Sequence, residues 1–303
     1  MKIIKNIDQM QKIVGNLKAK RKSIGFVPTM GALHEGHLSL MRKARKENDF
    51  VITSIFVNPT QFGPKEDFKK YPRNIKKDAG FCKKVGVDFI FAPEAKKMYP
   101  DGYKTYISVE GVLTEILEGK IRPGHFRGVC TIVNKLFNIV LPDRAYFGEK
   151  DYQQLMVIKK MVADLNMPVK IIGCPTLREK DGLAMSSRNA YLDKKERVKA
   201  GILNKVLKHV KAYRVQSTPK SPYTPYFRNH RTGYREKTKN AGKSTSQIRK
   251  MIEKIMKENE IKLDYVDIRD AESFEPAKNV KKGCIILLAA RIGKTRLIDN
   301  VII

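Results

Sequence analysis

Between residues 24 and 174, short apolar runs alternate with longer stretches of helical period. Ile24 to Pro28 predicts a strand, and Gly36 to Glu47 follows with Leu38, Leu40, Met41 and Ala44 at helical spacing. Phe50 to Val57 (FVITSIFV) is rich in β-branched and aromatic residues, as a buried strand requires. Asn74 to Val85 predicts a helix and Phe89 to Ala92 a strand. Arg127 to Val140 predicts a helix that stops before Pro142, and Ala145 to Phe147 a brief strand. Asp151 to Leu165 predicts a helix and Val169 to Cys174 a strand ahead of Pro175. Such alternation makes an α/β fold, a parallel sheet with helices on both faces. Ligands of these sheets bind beyond the carboxyl ends of the strands. His34, His37, Asn58 and Gly148 to Asp151 each follow a strand, so they are expected to converge on one rim.

After about residue 177 the texture changes. Lys194 to Ala212 and Ser246 to Glu258 predict helices. Leu263 to Ile268, Cys284 to Ala290 and Leu297 to Ile303 predict the strands of a smaller sheet. Two domains follow, 1–176 and 177–303, the second of α+β type. Residues 213–245 have no apolar period, three close prolines at 219, 222 and 225, and many cations against the lone anion Glu236. Too little apolar surface is present to order that stretch, so it is expected to be irregular and flexible. Tyr223, Tyr226, Phe227 and Tyr234 interleave with its cations as in a nucleic-acid arm. Nothing else in the chain looks like a nucleic-acid module, and nucleic acid is not the expected partner.

A formal net charge of +30 attracts polyanions without naming one. The lysines are spread along the whole chain, as on a solvated surface. Cys82, Cys130, Cys174 and Cys284 include no C-x-x-C pair, so neither a zinc ribbon nor a redox dithiol is suggested. Their apolar surroundings predict reduced, buried thiols. The N-terminal stretch lacks the apolar segment of a signal peptide, and the longest apolar run, Cys284 to Ala290, is too short to cross a bilayer. A soluble, cytoplasmic protein is expected.

Four clusters carry chemistry. The first is PTMGALHEGHLSL, Pro28 to Leu40, with His34 and His37 at i and i+3 where a strand turns into a helix. The pattern is not the H-E-x-x-H of zinc peptidases, and only His125, His209 and His230 remain as further imidazoles, so metal ligation is disfavoured. Glycines, a helix start with free N–H groups and two imidazoles on one face suit a phosphate. This is the HxGH pattern of enzymes that attack the α-phosphorus of a nucleotide. The second cluster is DGLAMSSRN, Asp181 to Asn189, where Ser186, Ser187 and Arg188 are able to wrap phosphate oxygens. A capped surface loop accounts for the same letters. The third is FGEKDYQQL, Phe147 to Leu155, where Lys150 suits a phosphate and Asp151 a ribose hydroxyl. Acidic residues favouring a helix dipole explain it equally well. The fourth is IFVNPTQFGPKEDFKKYPR, Ile55 to Arg73, where Asn58 and Gln61 read hydroxyls or a carboxylate, or where Asn-Pro merely turns the chain. No P-loop and no G-x-G-x-x-G is present, which disfavours a Walker NTPase or a dinucleotide-dependent dehydrogenase.

In this order, and with RPGHFRGVCTIVNKLFNIVLPDRAYFGEKDYQQL, REKDGLAMSSRNAYL and GKTRLIDNVII, the clusters resemble the pantothenate synthetase (pantoate–β-alanine ligase) family. The resemblance covers nearly all the chain except roughly residues 213 to 245, where relatives usually continue as helix. It implies a Rossmann-like N-terminal domain binding ATP and pantoate, and a small C-terminal lid. It implies an AMP-forming ligase that uses ATP and Mg²⁺ to join pantoate to β-alanine through pantoyl adenylate, and usually a homodimer. The ATP stretch corresponds to Met30, Gly31, Ala32, Leu33, His34, Glu35, Gly36 and His37, with His37 the proton donor and His34 holding phosphates. Gly148, Glu149, Lys150 and Asp151 match an ATP-binding turn, and Leu177 a backbone contact to ATP. Met185, Ser186, Ser187 and Arg188 match a mobile phosphate clamp comparable to the KMSKS loop of class I tRNA synthetases. His34, His37, Lys150 and Arg188 form the expected catalytic set, and Asn58, Gln61 and Gln154 the substrate set; no metal-ligating residue is assigned. All of this requires His37, Lys150 and Arg188 to share one bound nucleotide.

Overall fold

The structure, a computed structural model, describes residues 1–64, 66–216 and 244–303. Residues 217–243, most of the stretch expected to be irregular, lie outside the described residues, together with its interleaved aromatics. Two compact units divide the chain, Met1–Ala190 and Tyr191–Ile303. The boundary falls later than the expected residue 176. A bridge between Arg178 and Ala184 folds the intervening stretch on itself, and the Arg188–Asp67 ion pair ties it to the first unit.

Six strands build the first unit: β1 (Lys2–Ile4), β2 (Ile24–Thr29), β3 (Phe50–Ile55), β4 (Phe89–Phe91), β5 (Arg144–Gly148) and β6 (Lys170–Cys174). They form one all-parallel sheet in the order β1-β4-β3-β2-β5-β6. The crossover helices are α1 (Ile7–Ala19), α2 (Glu35–Glu47), α3 (Ile75–Lys84), α7 (His125–Val140) and α8 (Tyr152–Asp164). Three single-turn helices, α4 (Ala95–Met98), α5 (Val112–Glu115) and α6 (Glu118–Ile121), lie between β4 and α7. β1 and α1 go beyond the expected alternation. Met10 and Val14, at i and i+4, are both fully buried and seat α1 against α7.

Apolar spacing places each helix. α2 buries Leu38, Leu40, Met41 and Ala44 against β2, β3 and β5 and meets α3 on the same face. On the other face α7 is buried nearly all round, because α1, α8 and β2 surround it. From β2 the chain winds outward through β3 and β4, then returns to place β5 on the other side of β2. The order therefore reverses between β2 and β5, the position where such sheets open a crevice. Pro28 sits in β2 opposite Ser54 and offers no N–H. Side chains repair the ladder there: Thr29 Oγ1 donates to Ser54 O at 2.6 Å, and Thr29 N donates to Ser54 Oγ at 3.2 Å.

The second unit pairs α9 (Lys194–Gln216) and α10 (Thr245–Glu258) with three strands, β7 (Lys262–Asp270), β8 (Cys284–Ile292) and β9 (Thr295–Ile302). The strands form an antiparallel sheet in the order β7-β8-β9. Each is longer than its apolar core predicts, because antiparallel pairing carries through the polar ends. Central β8 (CIILLAARI) is buried along nearly its whole length. Asp267 and Arg269, both buried, pair at 2.6 Å, and Arg269 also donates to Phe274 O at 2.8 Å, so neither charge is isolated. All four cysteines are free and buried, and burial pushes the Cys82 and Cys130 thiols up to about 12. Among the described residues no helix is long and apolar enough to cross a membrane.

Candidate active site

One cavity of the first unit opens where β2, β3, β5 and β6 end. His34, His37, Lys150 and Arg188 all line it, as do Met30, Gly36, Asn58, Gln61, Gly148, Asp151, Gln154, Leu177, Met185, Ser186 and Ser187. Gly31, Ala32, Leu33, Glu35 and Glu149 do not line it among the described residues. Leu33 is buried in the core, Glu35 pairs with Arg42 at 2.9 Å on the surface, and Glu149 lies over Gly173. Three of these shape the loop that delivers the histidines. Gly31 (φ 85°) and Ala32 (φ 50°) turn the chain through the left-handed region, and the buried Asp78 carboxylate accepts from Ala32 N at 3.0 Å and Leu33 N at 2.9 Å.

The paired histidines form a capping box at the start of α2. His34 is the N-cap, and its Nδ1 accepts from Gly36 N at 3.2 Å. His37 stands three residues on, and its Nδ1 accepts from His34 N at 3.4 Å. Two of the N–H groups expected to meet phosphate are therefore already occupied by the imidazoles. Both rings accept at Nδ1 from backbone donors, so each neutral ring carries its proton on Nε2. The ring centroids are 4.1 Å apart. Gly36 is required because the His34 ring folds back over it: a Cβ there would stand 2.8 Å from Nδ1 and Cε1. Burial, then the Lys150 ammonium, hold His34 down to about 4; burial, then the His34 ring, hold His37 down to about 3. At neutral pH both are hydrogen-bond donors, not cations.

The fixed cations of the cavity have partners. Lys150 Nζ lies 3.4 Å from Asp151 Oδ1, and Lys150 keeps the Asp151 carboxyl below its usual range against the opposing effect of burial. Arg188 grips Asp67 through Nε at 3.2 Å and a terminal nitrogen at 3.0 Å, and Ser187 Oγ stands 3.4 Å from Tyr71 OH. A carboxylate thus occupies the guanidinium fork that a phosphate would use.

Several contributors carry no motif of their own. His125 Nδ1 faces Gln61 O at 2.9 Å and Nε2 faces Arg122 at 3.0 Å. A carbonyl only accepts and a guanidinium only donates, so His125 is the neutral Nδ1–H tautomer. Burial, then Arg122, lower its pKa to about 4. Arg122 in turn pairs with Glu66 at 2.7 Å. Arg122 and His125 lie in the RPGHFRG stretch, where they could have been suspected. Asp67 lies in the fourth cluster and could likewise have been suspected; Asp78 and Tyr99 could not, because neither lies in a cluster and the residues they hold, Leu33 and Asn58, are 45 and 41 positions away. Among the described residues no group of three or more His, Cys, Asp or Glu side chains could hold a metal.

A family model described as pantoate-beta-alanine ligase matches residues 2–302. A protein of Pseudothermotoga lettingae named pantothenate synthetase is 50% identical over 303 residues, covering 100% of this chain and 99% of its own. A crystal structure of pantothenate synthetase from Thermus thermophilus superposes with a TM-score of 0.86 at 41% identity, over 99% of both chains. A pantoate-beta-alanine ligase from Francisella tularensis, crystallised with β-γ ATP and β-alanine, superposes with a TM-score of 0.76 at 38% identity, over 100% of this chain and 97% of that one. With its sheet order, its paired histidines and these matches along its whole length, the chain belongs to the pantoate–β-alanine ligase family.

Proposed function

We propose that the chain joins pantoate to β-alanine at the expense of ATP, releasing AMP and pyrophosphate through a pantoyl adenylate. One observation carries this reading. Two neutral imidazoles, Lys150 and Arg188 share a single cavity with the uncharged amides of Gln61 and Gln154. Phosphate-binding groups and groups suited to a small hydroxy acid therefore face one space, and no enzyme nucleophile is needed between them. The relative of Francisella tularensis, with its β-γ ATP and β-alanine, supports both substrates.

In this reading the pantoate carboxylate oxygen attacks the ATP α-phosphorus, and the bond from that phosphorus to the bridging oxygen breaks. Pyrophosphate leaves with the electron pair. Its charge develops beside His34, His37 and Lys150, where fixed donors stabilise it most. Arriving polyphosphate also favours the charged form of both imidazoles, raising them from their low resting values. Arg188 exchanges Asp67 for a phosphate. The β-alanine amine then attacks the acyl carbon, loses a proton, and the acyl–oxygen bond breaks to release AMP. Walls that exclude water keep the adenylate for the amine.

Mg²⁺ belongs to this reading as an ion carried by the phosphates. The donor set fits, because Asp151 is a single carboxylate lining the cavity, and Mg²⁺ is commonly held by one or two carboxylates plus phosphate oxygens. When bound it would neutralise phosphate charge. A homodimeric, cytoplasmic enzyme completes the reading; sedimentation at micromolar concentration tests the dimer. The activity is tested by AMP formation with each small substrate omitted in turn. AMP release that needs ATP, pantoate and β-alanine together supports it, and AMP release indifferent to pantoate rejects it.

A further inference from the structure

A glutamine amide is nearly symmetric in shape and opposite in chemistry at its two ends, so what Gln61 reads depends on which end meets the substrate. The structure fixes that choice from a distance. Asn58, 1% exposed, has all its amide bonds inside the protein. Its nitrogen faces the Gly128 carbonyl at 3.1 Å, and a carbonyl only accepts, so that end must be Nδ2. Its oxygen then receives Tyr99 OH at 2.7 Å and Thr60 Oγ1 at 3.0 Å. The second Nδ2 hydrogen points to Gln61 at 3.1 Å, so Gln61 must present Oε1 there. Nε2 is left for the cavity, where among the described residues its hydrogen-bond partner is the Met30 sulfur at 3.1 Å, a weak acceptor that an oxygen readily replaces.

Two further features hold the relay in place. A Cβ on Gly128 would stand 2.3 Å from Thr60 O and 2.6 Å from Gln61 N, so α7 touches the Pro59–Gln61 turn backbone to backbone. Tyr99 is an O–H donor, its value pushed up to about 12 by burial, and Lys135 sits over its ring at 5.7 Å.

We propose that Tyr99 is a positioning residue: through Asn58, anchored on the Gly128 carbonyl, it holds Gln61 with its N–H₂ toward the acid substrate. The site then selects an acceptor oxygen, a carboxylate or hydroxyl of the hydroxy acid, at that point. This rests on the functional reading above. Tyr99→Phe removes one of the two hydroxyls on Asn58 without changing ring packing. The KM for pantoate is expected to rise roughly tenfold, with kcat and the KM for ATP within about twofold. In a Gln61→Ala background the same substitution is expected to change the pantoate KM hardly at all, because its effect passes through Gln61. An equal rise in both backgrounds, a rise in the KM for ATP instead, or no rise overturns the relay. If Tyr99→Phe does not fold, Thr60→Val removes the other hydroxyl and carries the same expectation. Wild type that fails to consume pantoate at all rejects the functional reading; wild type that turns over while the variants keep its pantoate KM rejects only the relay.

Discussion

Serine and glutamate make the usual capping box, satisfying two backbone N–H groups at a helix start. In α2 two histidines make it, which leaves two Nε2–H donors on rings that line the cavity. Replacing His37 with Ala removes one donor and one cap acceptor. Turnover is expected to fall roughly a hundredfold or more, and stability by only about 1 kcal/mol, read by steady-state kinetics and urea melting. An unchanged rate would remove His37 from the site. The low resting pKa values give a second test. Both rings are expected to titrate well below the ordinary 6.5 in the free protein, and to move upward when a non-hydrolysable ATP analogue binds. Imidazole Cε1–H chemical shifts measured against pH, with and without the analogue, check the sign. A downward movement would mean that the triphosphate binds elsewhere.

At the scale of elements, the loop from β2 to α2 is set by an acid on a neighbouring helix. Asp78 of α3, 2% exposed, holds two adjacent N–H groups of a loop forced through positive φ. Asp78→Asn turns one acceptor into a donor that faces an N–H. About 2 kcal/mol of stability is expected to be lost, with a several-fold rise in the KM for ATP, because the loop that presents His34 loosens. Denaturant melts and ATP kinetics on one preparation check both, and a stable variant with a normal ATP KM would mean the loop holds itself. This element also marks what sequence reveals. β2, β3 and β5 were legible because parallel strands buried on both faces read as continuous apolar runs, and the half-buried edge strand β6 because its short apolar run ends at Pro175. α4, α5 and α6 were not, since four residues are too few to show a period. Local order put His34 and His37 at a strand exit. The partners that set the site, Asp78 for the histidine loop and Tyr99 for the Asn58–Gln61 pair, are brought in by the tertiary fold from distant positions. Asn58 shows the consequence: expected to read substrate directly, it has its whole amide engaged within the protein.

At the scale of the whole molecule, three histidines of the first unit have depressed pKa values. Unfolded imidazoles gain a proton as pH falls through about 6.5, whereas the folded ones wait until about 4 or about 3. Between those limits the unfolded state binds more protons, so stability is full above pH 6.5 and declines as pH falls toward 4. Melting temperature against pH is expected to show that decline, and to show less of it in His125→Asn; equal slopes would mean His125 is charged in the fold. The sheet order explains why the chemistry collects where it does. β2 and β5 diverge at the switch point, and the loops that follow them carry His34, His37 and Lys150 to one cavity. What remains to be measured directly is which bond of ATP breaks in that cavity. Pantoate labelled with ¹⁸O in its carboxylate, turned over with ATP and β-alanine, separates the possibilities by mass spectrometry of the nucleotide. Attack on the α-phosphorus leaves one ¹⁸O in the AMP; label found instead in inorganic phosphate, with ADP as the nucleotide product, would contradict it.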